Sequence, residues 1–207
     1  MDLRKSDYAV ERISTARSFL FVPSDRPERF EKAMAAGADM VILDLEDAVA
    51  PAAKIAARAA VSAWISPDRP VIIRINAADT VWFDDDLALP DRAGVAAIML
   101  SKSIAGAVLE RVASCAIVIA LVETARGMLD LAAIAATPGV VRLAFGSIDL
   151  ASILMPTYPT ARSTLFGCRW SLRRGRMACL RPSTGSRETF AMPQSSMPMS
   201  AASGLWG

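Results

Sequence analysis

Six short apolar runs, rich in β-branched residues, recur along the first 150 residues and constrain the fold more than any other feature. Most runs are apolar at nearly every position, which is typical of parallel strands buried on both faces. The steps between successive run centres are 23, 30, 25, 21 and 24 residues, for centres at Leu20, Leu43, Ile73, Ile98, Ile119 and Leu143. This even spacing leaves room for a helix after each strand and favours a TIM (β/α)8-type barrel over a doubly wound sheet. We therefore predict an α/β fold with six clear βα units.

Helical patterns fill the segments between the runs. After the fourth run, Ser103 is predicted to cap a helix whose apolar face carries Ile104, Val108 and Val112. After the fifth run, Thr124 is predicted to cap the next helix. The alternation of strand and helix therefore extends through the sixth run.

The charge balance changes near residue 162. Residues 1–162 hold 17 basic and 20 acidic residues, a net of −3, whereas residues 163–207 hold six arginines and one acid, a net of +5. We predict an incomplete barrel domain over 1–162 that carries the active site, and a basic, irregular, poorly ordered tail over 163–207. The tail is interpreted as a nucleic-acid- or lipid-binding arm, an ordinary terminus or an out-of-frame translation. The third interpretation is favoured, and no nucleic-acid or membrane partner is predicted.

The chain contains no histidine. This excludes Ser-His-Asp and Cys-His catalysis and histidine metal sites, so acid–base and metal chemistry falls to carboxylates, lysine, tyrosine, backbone or water. The first residues show no apolar signal segment, and no apolar stretch is long enough to span a bilayer. Three cysteines without a CxxC pair indicate a reducing compartment, so a cytoplasmic location is predicted.

Charged side chains follow five of the six apolar runs. Barrel enzymes carry out their chemistry at the carboxyl ends of the strands, which meet at one mouth. A ring of charge above an apolar barrel is costly to bury without partners, so it predicts a functional site, with a structural charge network as the alternative. The charged residues at these strand ends are Asp44, Glu46, Asp47, Arg74, Lys102, Glu123 and Asp149.

Considered one at a time, these residues differ in how strongly each indicates a functional site. Asp47 alone would be a helix-capping carboxylate, and Lys102 alone would be a solvated loop residue. Arg74 lies inside the apolar run PVIIRIN, where a guanidinium needs an acidic partner or an anionic ligand. Glu123 directly follows the apolar run IVIALV, and its carboxylate likewise needs a partner or a ligand.

The residue types indicate a chemistry. Carboxylates from neighbouring strands, Glu123 and Asp149, suit Mg²⁺, which binds through one or two carboxylates plus water and substrate oxygens. Arg74 can bind a substrate carboxylate through two parallel hydrogen bonds. Together they predict a pocket for a small keto- or hydroxy-acid held by a metal ion and an arginine.

Several motifs also carry a family likeness. The segment RSFLFVPSDRPERFEKAMAAGADMVILDLEDAV, followed by IIRIN, IALVETARGMLDL and LAFGSIDL, resembles the citrate lyase β-subunit / malyl-CoA lyase family over residues 16–155. Ser101 precedes Lys102 where this family usually has proline. The motifs of the family's seventh and eighth strands and of its C-terminal lid are not found in residues 163–207.

The resemblance implies a (β/α)8 barrel that binds Mg²⁺ and cleaves or forms a carbon–carbon bond β to a thioester, as a trimer or hexamer. It implies substrate-binding roles for Arg74, Glu123 and the backbone of 145–148, which includes Gly146 and Ser147. It implies that Glu123 and Asp149 ligate the metal. Glu46 and Asp47 would hold metal-bound waters and are the candidate catalytic carboxylates.

The leading hypothesis is a Mg²⁺-dependent lyase that splits a 3-hydroxyacyl thioester, such as a CoA thioester, into an acyl thioester and a keto-acid. A thioesterase and a pyruvate aldolase using the same pocket are the enzymatic alternatives. The alternative from another class is a non-catalytic, truncated barrel that binds a small acid or a partner subunit.

Overall fold

The computed structural model describes residues 3–91, 93–146, 149, 169–173, 176–180 and 188–189. A parallel sheet of six strands forms its framework, and the strands pair in chain order. The strands are β1 Phe19–Pro23, β2 Met40–Asp44, β3 Val71–Ile75, β4 Val95–Leu100, β5 Val118–Val122 and β6 Val140–Phe145. Each strand overlaps one of the six apolar runs, and helices follow the first five strands, so the predicted α/β fold is confirmed.

Helices connect successive strands, and one further helix precedes the first strand. They are α1 Leu3–Thr15, α2 Phe30–Met34, α3 Lys54–Trp64, α4 Phe83–Asp86, α5 Ala107–Cys115, α6 Ala125–Leu129 and α7 Leu131–Ala136. Short 3₁₀ turns at Pro27–Arg29 and Pro51–Ala53 lead into α2 and α3, because a proline is favoured in the first turn. None of the helices in the described residues combines the length and the apolarity needed to cross a membrane.

Side chains of the sheet separate into two apolar layers. The outer layer packs the strands against the helices, through residues such as Leu43, Ile73 and Val122. The inner layer fills the barrel from alternate strand positions, such as Ile42, Ile72 and Ile119. The period-two alternation of β-strands therefore aims the residues that follow the inner positions at the barrel mouth.

Helix α1 covers the end of the barrel opposite the strands' carboxyl ends. Its residue Ile13 is fully buried in the inner layer. Arg142 of β6 donates to the carbonyl oxygens of Ile13 and Ala16, at 2.6 and 2.9 Å. These bonds satisfy carbonyls at the carboxyl end of α1, where a positive charge also complements the helix dipole.

Strands β1 and β6 form the two edges of the described sheet, which leaves a gap between them in the described part of the barrel. A cavity of about 230 Å³ lies at this gap, lined by Phe19 and Phe21 of β1 and by residues 143–145 of β6. The Arg142 guanidinium carbon lies 4.8 Å from the centroid of the Phe19 ring, across the gap. The sheet is therefore curved far enough for its two edges to line one cavity.

The helix predictions met mixed outcomes. Thr124 caps α6, because its Oγ1 accepts a hydrogen bond from the Gly127 amide at 3.0 Å. The predicted cap at Ser103 is wrong: α5 begins after Gly106, and the Ser103 hydroxyl donates to the Leu100 carbonyl instead. The predicted apolar face is right at Val112, which is buried, and wrong at Ile104 and Val108, which are exposed; Leu109 is buried in their place.

The described parts of 163–207 contain three short strands that pair antiparallel in the order β7-β8-β9, which the sequence pattern did not predict. They are β7 Arg169–Arg173, β8 Arg176–Leu180 and β9 Glu188–Thr189. The domain boundary predicted near residue 162 lies outside the described residues.

Candidate active site

The carboxyl ends of β2 and β3 bring opposite charges together. Asp44 and Arg74 are register partners on the two strands. Arg74 donates from Nε to Asp44 Oδ1 at 2.8 Å and from Nη2 to Asp44 Oδ2 at 2.5 Å. Asp44 Oδ1 also accepts the amide of Glu46, at 2.8 Å. Burial lowers the pKa of Arg74, but the bonds to Asp44 outweigh it and the pKa is raised overall.

Glu46 lies beside this pair with its carboxylate buried. Its Oε2 is 3.1 Å from Arg74 Nη1, and its Oε1 is 3.9 Å from Lys102 Nζ. Neither carboxylate oxygen makes a hydrogen bond of ordinary geometry with the described residues. Burial raises the pKa of Glu46, and Arg74 opposes the rise. A buried carboxylate with open acceptor positions is what a bound water, an ion or a substrate hydroxyl would satisfy.

Glu123 extends the cluster from β5. It follows the inner-layer residues Ile119 and Leu121, as the strand alternation predicts. Its Oε1 accepts the Lys102 amide at 2.8 Å. Burial raises the pKa of Glu123 to about 7; the Lys102 amide lowers it, the charges of Glu46 and Asp149 raise it, and Arg74 lowers it. Glu123 therefore feels the charges contributed by β2, β3 and the segment after β6.

Gly146, at the end of β6, lies directly against Glu123. A Cβ at this position would come within 2.6 Å of both the Cβ and the Oε2 of Glu123. Only glycine leaves room for the carboxylate there, because such contacts are far inside van der Waals distance. Glycine at position 146 thus leaves the space that the Glu123 side chain occupies.

The remaining predicted residues are less enclosed. Asp47 is exposed, and its charge contributes to the raised pKa of Glu46. Asp149 is exposed and lies near enough to raise the pKa of Glu123. Ser147 lies outside the described residues.

A second, buried layer supports Glu46, and the sequence analysis missed it. Lys54 Nζ donates to the carbonyls of Leu45 and Glu46, at 2.8 and 2.9 Å, and lies 5.0 Å from the centroid of the Trp82 ring. Asn76 Nδ2 donates to the same Leu45 carbonyl at 3.0 Å and to Asp86 at 2.6 Å. The chain that carries Glu46 is therefore fixed from below.

Burial lowers the pKa of the Lys54 ammonium, and the charge of Asp86 opposes this. Asp86 also accepts a bond from Arg58 Nε at 2.7 Å, so the buried layer has a charge partner of its own. The sequence shows Lys54 among alanines but does not show that it is buried, so the sequence pattern could not identify this layer.

One continuous series of contacts thus runs along the mouth, from Arg74 through Glu46 and Lys102 to Glu123. Arg74 was predicted to need an acidic partner or an anionic ligand, and it has two acidic partners. Five carboxylates and two cations lie at the described mouth: Asp44, Glu46, Asp47, Glu123 and Asp149, with Arg74 and Lys102.

Among the described residues, no three Asp, Glu, Cys or His side chains are placed to hold a metal ion on their own. Mg²⁺ does not require three, because it commonly binds through one or two carboxylates and completes its shell with other oxygens. The arrangement can hold a hard cation and an organic anion side by side.

An α/β barrel whose strand ends carry a buried, charged cluster is the architecture of barrel enzymes that act on small molecules. The chain belongs to the HpcH/HpaI aldolase/citrate lyase family, whose model matches residues 17–166. The resemblance noted in the sequence is thereby confirmed.

Two relatives and one solved structure define the similarity. A citrate lyase subunit beta-like protein of Mycobacterium tuberculosis is 47% identical over 137 residues, which cover 66% of this chain and 49% of that protein. A (3S)-malyl-CoA thioesterase of Cereibacter sphaeroides is 39% identical over 149 residues, covering 69% and 52%. The chain therefore spans about half the length of these relatives.

The solved structure is protein CitE of Mycobacterium tuberculosis in complex with magnesium, acetoacetate and coenzyme A. It is similar to this chain with a TM-score of 0.62 and 40% sequence identity, covering 73% of this chain and 60% of that one.

Proposed function

We propose that this protein is a Mg²⁺-dependent carbon–carbon lyase that cleaves a 3-hydroxyacyl CoA thioester into an acyl thioester and a keto-acid. The observation that carries the proposal is the contact series from Arg74 through Glu46 and Lys102 to Glu123 at the mouth of a barrel of this family. The CitE complex with magnesium, acetoacetate and coenzyme A supports the choice of ion and substrate class.

The residues present fit a magnesium ion. Glu123 supplies a buried carboxylate, and Glu46 offers two buried oxygens without hydrogen bonds among the described residues, which could accept hydrogen bonds from the waters that usually complete a Mg²⁺ shell. We assign Glu123 and Asp149 as the carboxylates that would hold the ion, with Glu46 and Asp47 accepting hydrogen bonds from nearby water. The ion would supply Lewis-acid polarisation of substrate oxygens.

The chain's own residues supply the proton transfer. Cleavage requires a base to take the proton of the substrate's 3-hydroxyl, after which the C–O bond becomes the carbonyl of the keto-acid. The electron pair of the C2–C3 bond passes to the thioester as an enolate, which then takes a proton at C2. Glu46 suits the base because its buried carboxylate has open acceptor positions and burial raises its pKa above the usual value, which strengthens it as a proton acceptor; the exposed Asp47 is the alternative.

Arg74 orients the acidic groups. Its bonds to Asp44 and its contact with Glu46 hold both carboxylates at the mouth. All three Arg74 nitrogens contact Asp44 or Glu46, so a substrate carboxylate, which the sequence analysis assigned to Arg74, would meet only the remaining N–H groups of its five. Gly146 and Ser147 remain candidates for lining the substrate.

Product analysis tests the proposal. The protein is incubated with Mg²⁺ and malyl-, citramalyl- or citryl-CoA, and keto-acid and free CoA are measured separately. A lyase forms keto-acid and acyl-CoA without free CoA, and Glu123→Ala abolishes this. Absence of keto-acid from all three substrates, with Glu123→Ala behaving like the unmodified protein, contradicts the proposal.

A thioesterase is the second candidate, because a relative 39% identical to this chain is named a (3S)-malyl-CoA thioesterase. It would release free CoA and a hydroxy-acid without keto-acid. A pyruvate aldolase would form products from pyruvate in the absence of thioester. A folded protein without any product would support the non-catalytic alternative. Light scattering would test the proposed trimer or hexamer.

A further inference from the structure

The turn after β4, Ser101–Lys102–Ser103, is held on both sides. Ser101 Oγ donates to the Ile75 carbonyl of β3 at 2.8 Å, a bond that proline could not make. Ser103 Oγ donates to the Leu100 carbonyl at 2.8 Å, and the Ser103 amide donates to the Leu121 carbonyl of β5 at 2.9 Å. Both serines are buried, so the backbone that carries Lys102 has little freedom.

Lys102 has a left-handed backbone, with φ of 50°, and among the described residues no other non-glycine residue has a positive φ. Glycine would adopt this conformation without strain, whereas lysine does so at a cost. Strain of this kind persists where surrounding structure imposes it, and it concentrates at functional sites. The conformation aims the Lys102 amide at Glu123 and brings the ammonium beside Glu46.

The two cations of the mouth differ in what they can offer a ligand. Arg74 is 12% exposed, and Asp44 and Glu46 already engage three of its nitrogens. The Lys102 side chain is 49% exposed, and its nearest described carboxylate oxygen lies 3.9 Å away, beyond hydrogen-bond distance. An arriving anion therefore meets three N–H donors on Lys102 at lower cost than it meets those of Arg74.

We propose that Lys102 binds the carboxylate of the keto-acid part of the substrate. This inference rests on the proposed function and adds a specificity-determining residue to it. The ammonium lies against the nearly buried carboxylate of Glu46, which places it beside the reacting groups. A substrate carboxylate at this position would pair with the Lys102 ammonium. A compound that lacks this carboxylate would lose the contact.

An anionic oxygen at Lys102 could also come from a phosphate of CoA, so the test separates the two sources. Dissociation constants are measured by calorimetry for Mg²⁺ alone, and for oxaloacetate and CoA with saturating Mg²⁺. The variants are Lys102→Met and Lys102→Arg, with Lys32→Met on the exposed face of α2 as the matched control.

We expect Lys102→Met to weaken oxaloacetate binding about 10- to 100-fold, the loss typical of one hydrogen bond to a charged group. Mg²⁺ and CoA affinities should stay within about threefold, because they do not use this contact. Lys102→Arg should recover most of the affinity, and Lys32→Met should bind as the unmodified protein does. Thermal melts check that each variant is folded.

The inference would be overturned by unchanged oxaloacetate binding in folded Lys102→Met, by a loss confined to CoA, or by no oxaloacetate binding by the unmodified protein. An equal loss of Mg²⁺ affinity would also overturn it, because it would indicate that residue 102 acts only through its amide and Glu123. A protein that binds oxaloacetate through Lys102 but forms no product would instead refute the proposed function alone.

Discussion

Asp44 and Arg74 are register partners on adjacent parallel strands, and two hydrogen bonds join their side chains. The carboxylate is 2% and the guanidinium 12% exposed. This pairing explains how an arginine is accommodated within an apolar strand, because each buried charge has the other as its partner. The mouth is therefore organised by the protein's own residues before any ligand arrives.

Asp44→Asn should strongly destabilise the protein. It removes one charge of a buried pair and leaves the Arg74 guanidinium with Glu46 as its nearest acidic partner, so the loss should lie near the lower end of the about 3–5 kcal/mol typical of breaking a buried pair. Urea denaturation measures the loss. Glu28→Gln is the control, because the Glu28–Arg26 pair is exposed and its removal should leave the midpoint nearly unchanged. Equal losses in both variants would show that burial does not set the strength of the Asp44 pair.

Glu123→Gln should stabilise the metal-free protein at alkaline pH. Burial raises the pKa of Glu123 to about 7, above its usual value of 4.5, so the folded state favours the protonated form. Its stabilising contribution is complete below pH 4.5 and is lost as pH rises through about 7. The variant should exceed the unmodified protein by up to about 3 kcal/mol at pH 8.

Denaturation in EDTA-containing buffers from pH 4 to 8 measures this difference. The exposed Glu110 supplies the control variant, Glu110→Gln. A Glu123→Gln curve parallel to that of the unmodified protein would mean that Glu123 does not titrate in this range.

Gly146→Ala should displace Glu123. The new Cβ would lie within 2.6 Å of the Glu123 side chain, and overpacking of this kind typically costs about 1–3 kcal/mol. Mg²⁺ affinity should fall in parallel. In the Glu123→Gly background the same substitution should cost much less, because the contacted atoms are gone. An additive double variant would argue against the contact.

Lys54→Met should loosen the chain segment that carries Glu46. The Glu46 carbonyl loses its Lys54 donor, whereas the Leu45 carbonyl keeps the bond from Asn76. An unsatisfied buried acceptor costs about 1–3 kcal/mol. Thermal melting and Mg²⁺ calorimetry measure stability and site geometry, with exposed Lys32→Met as the control. A variant as stable as this control would rule out the supporting role.

The strands and their polar ends were predictable because the pattern that encodes them is local. Each apolar run forms its own strand, and the alternation that places Ile119 and Leu121 inside the barrel carries Glu123 to the mouth. Parallel pairing in chain order then brings successive strand ends together.

What the sequence analysis missed depends on contacts between distant segments. Arg74 was known to need a partner, but only the strand register identifies Asp44. Ser103 has the residue type of a helix cap, yet its bonds to Leu100 and Leu121 use it in a turn between β4 and β5. Lys54 of α3, which supports Glu46, was assigned no role from the sequence, because its carbonyl partners lie in a preceding loop.

The surplus of carboxylates over cations among the described residues of the barrel mouth has a kinetic consequence. A mouth with that excess of negative potential attracts a divalent counter-ion and repels keto-acids and thioesters, which are themselves anions. The two ligands should therefore add in a compulsory order, cation first and organic acid second. Initial rates measured while the concentrations of the cation and the organic acid are both varied would then show that the acid binds only after the ion has bound.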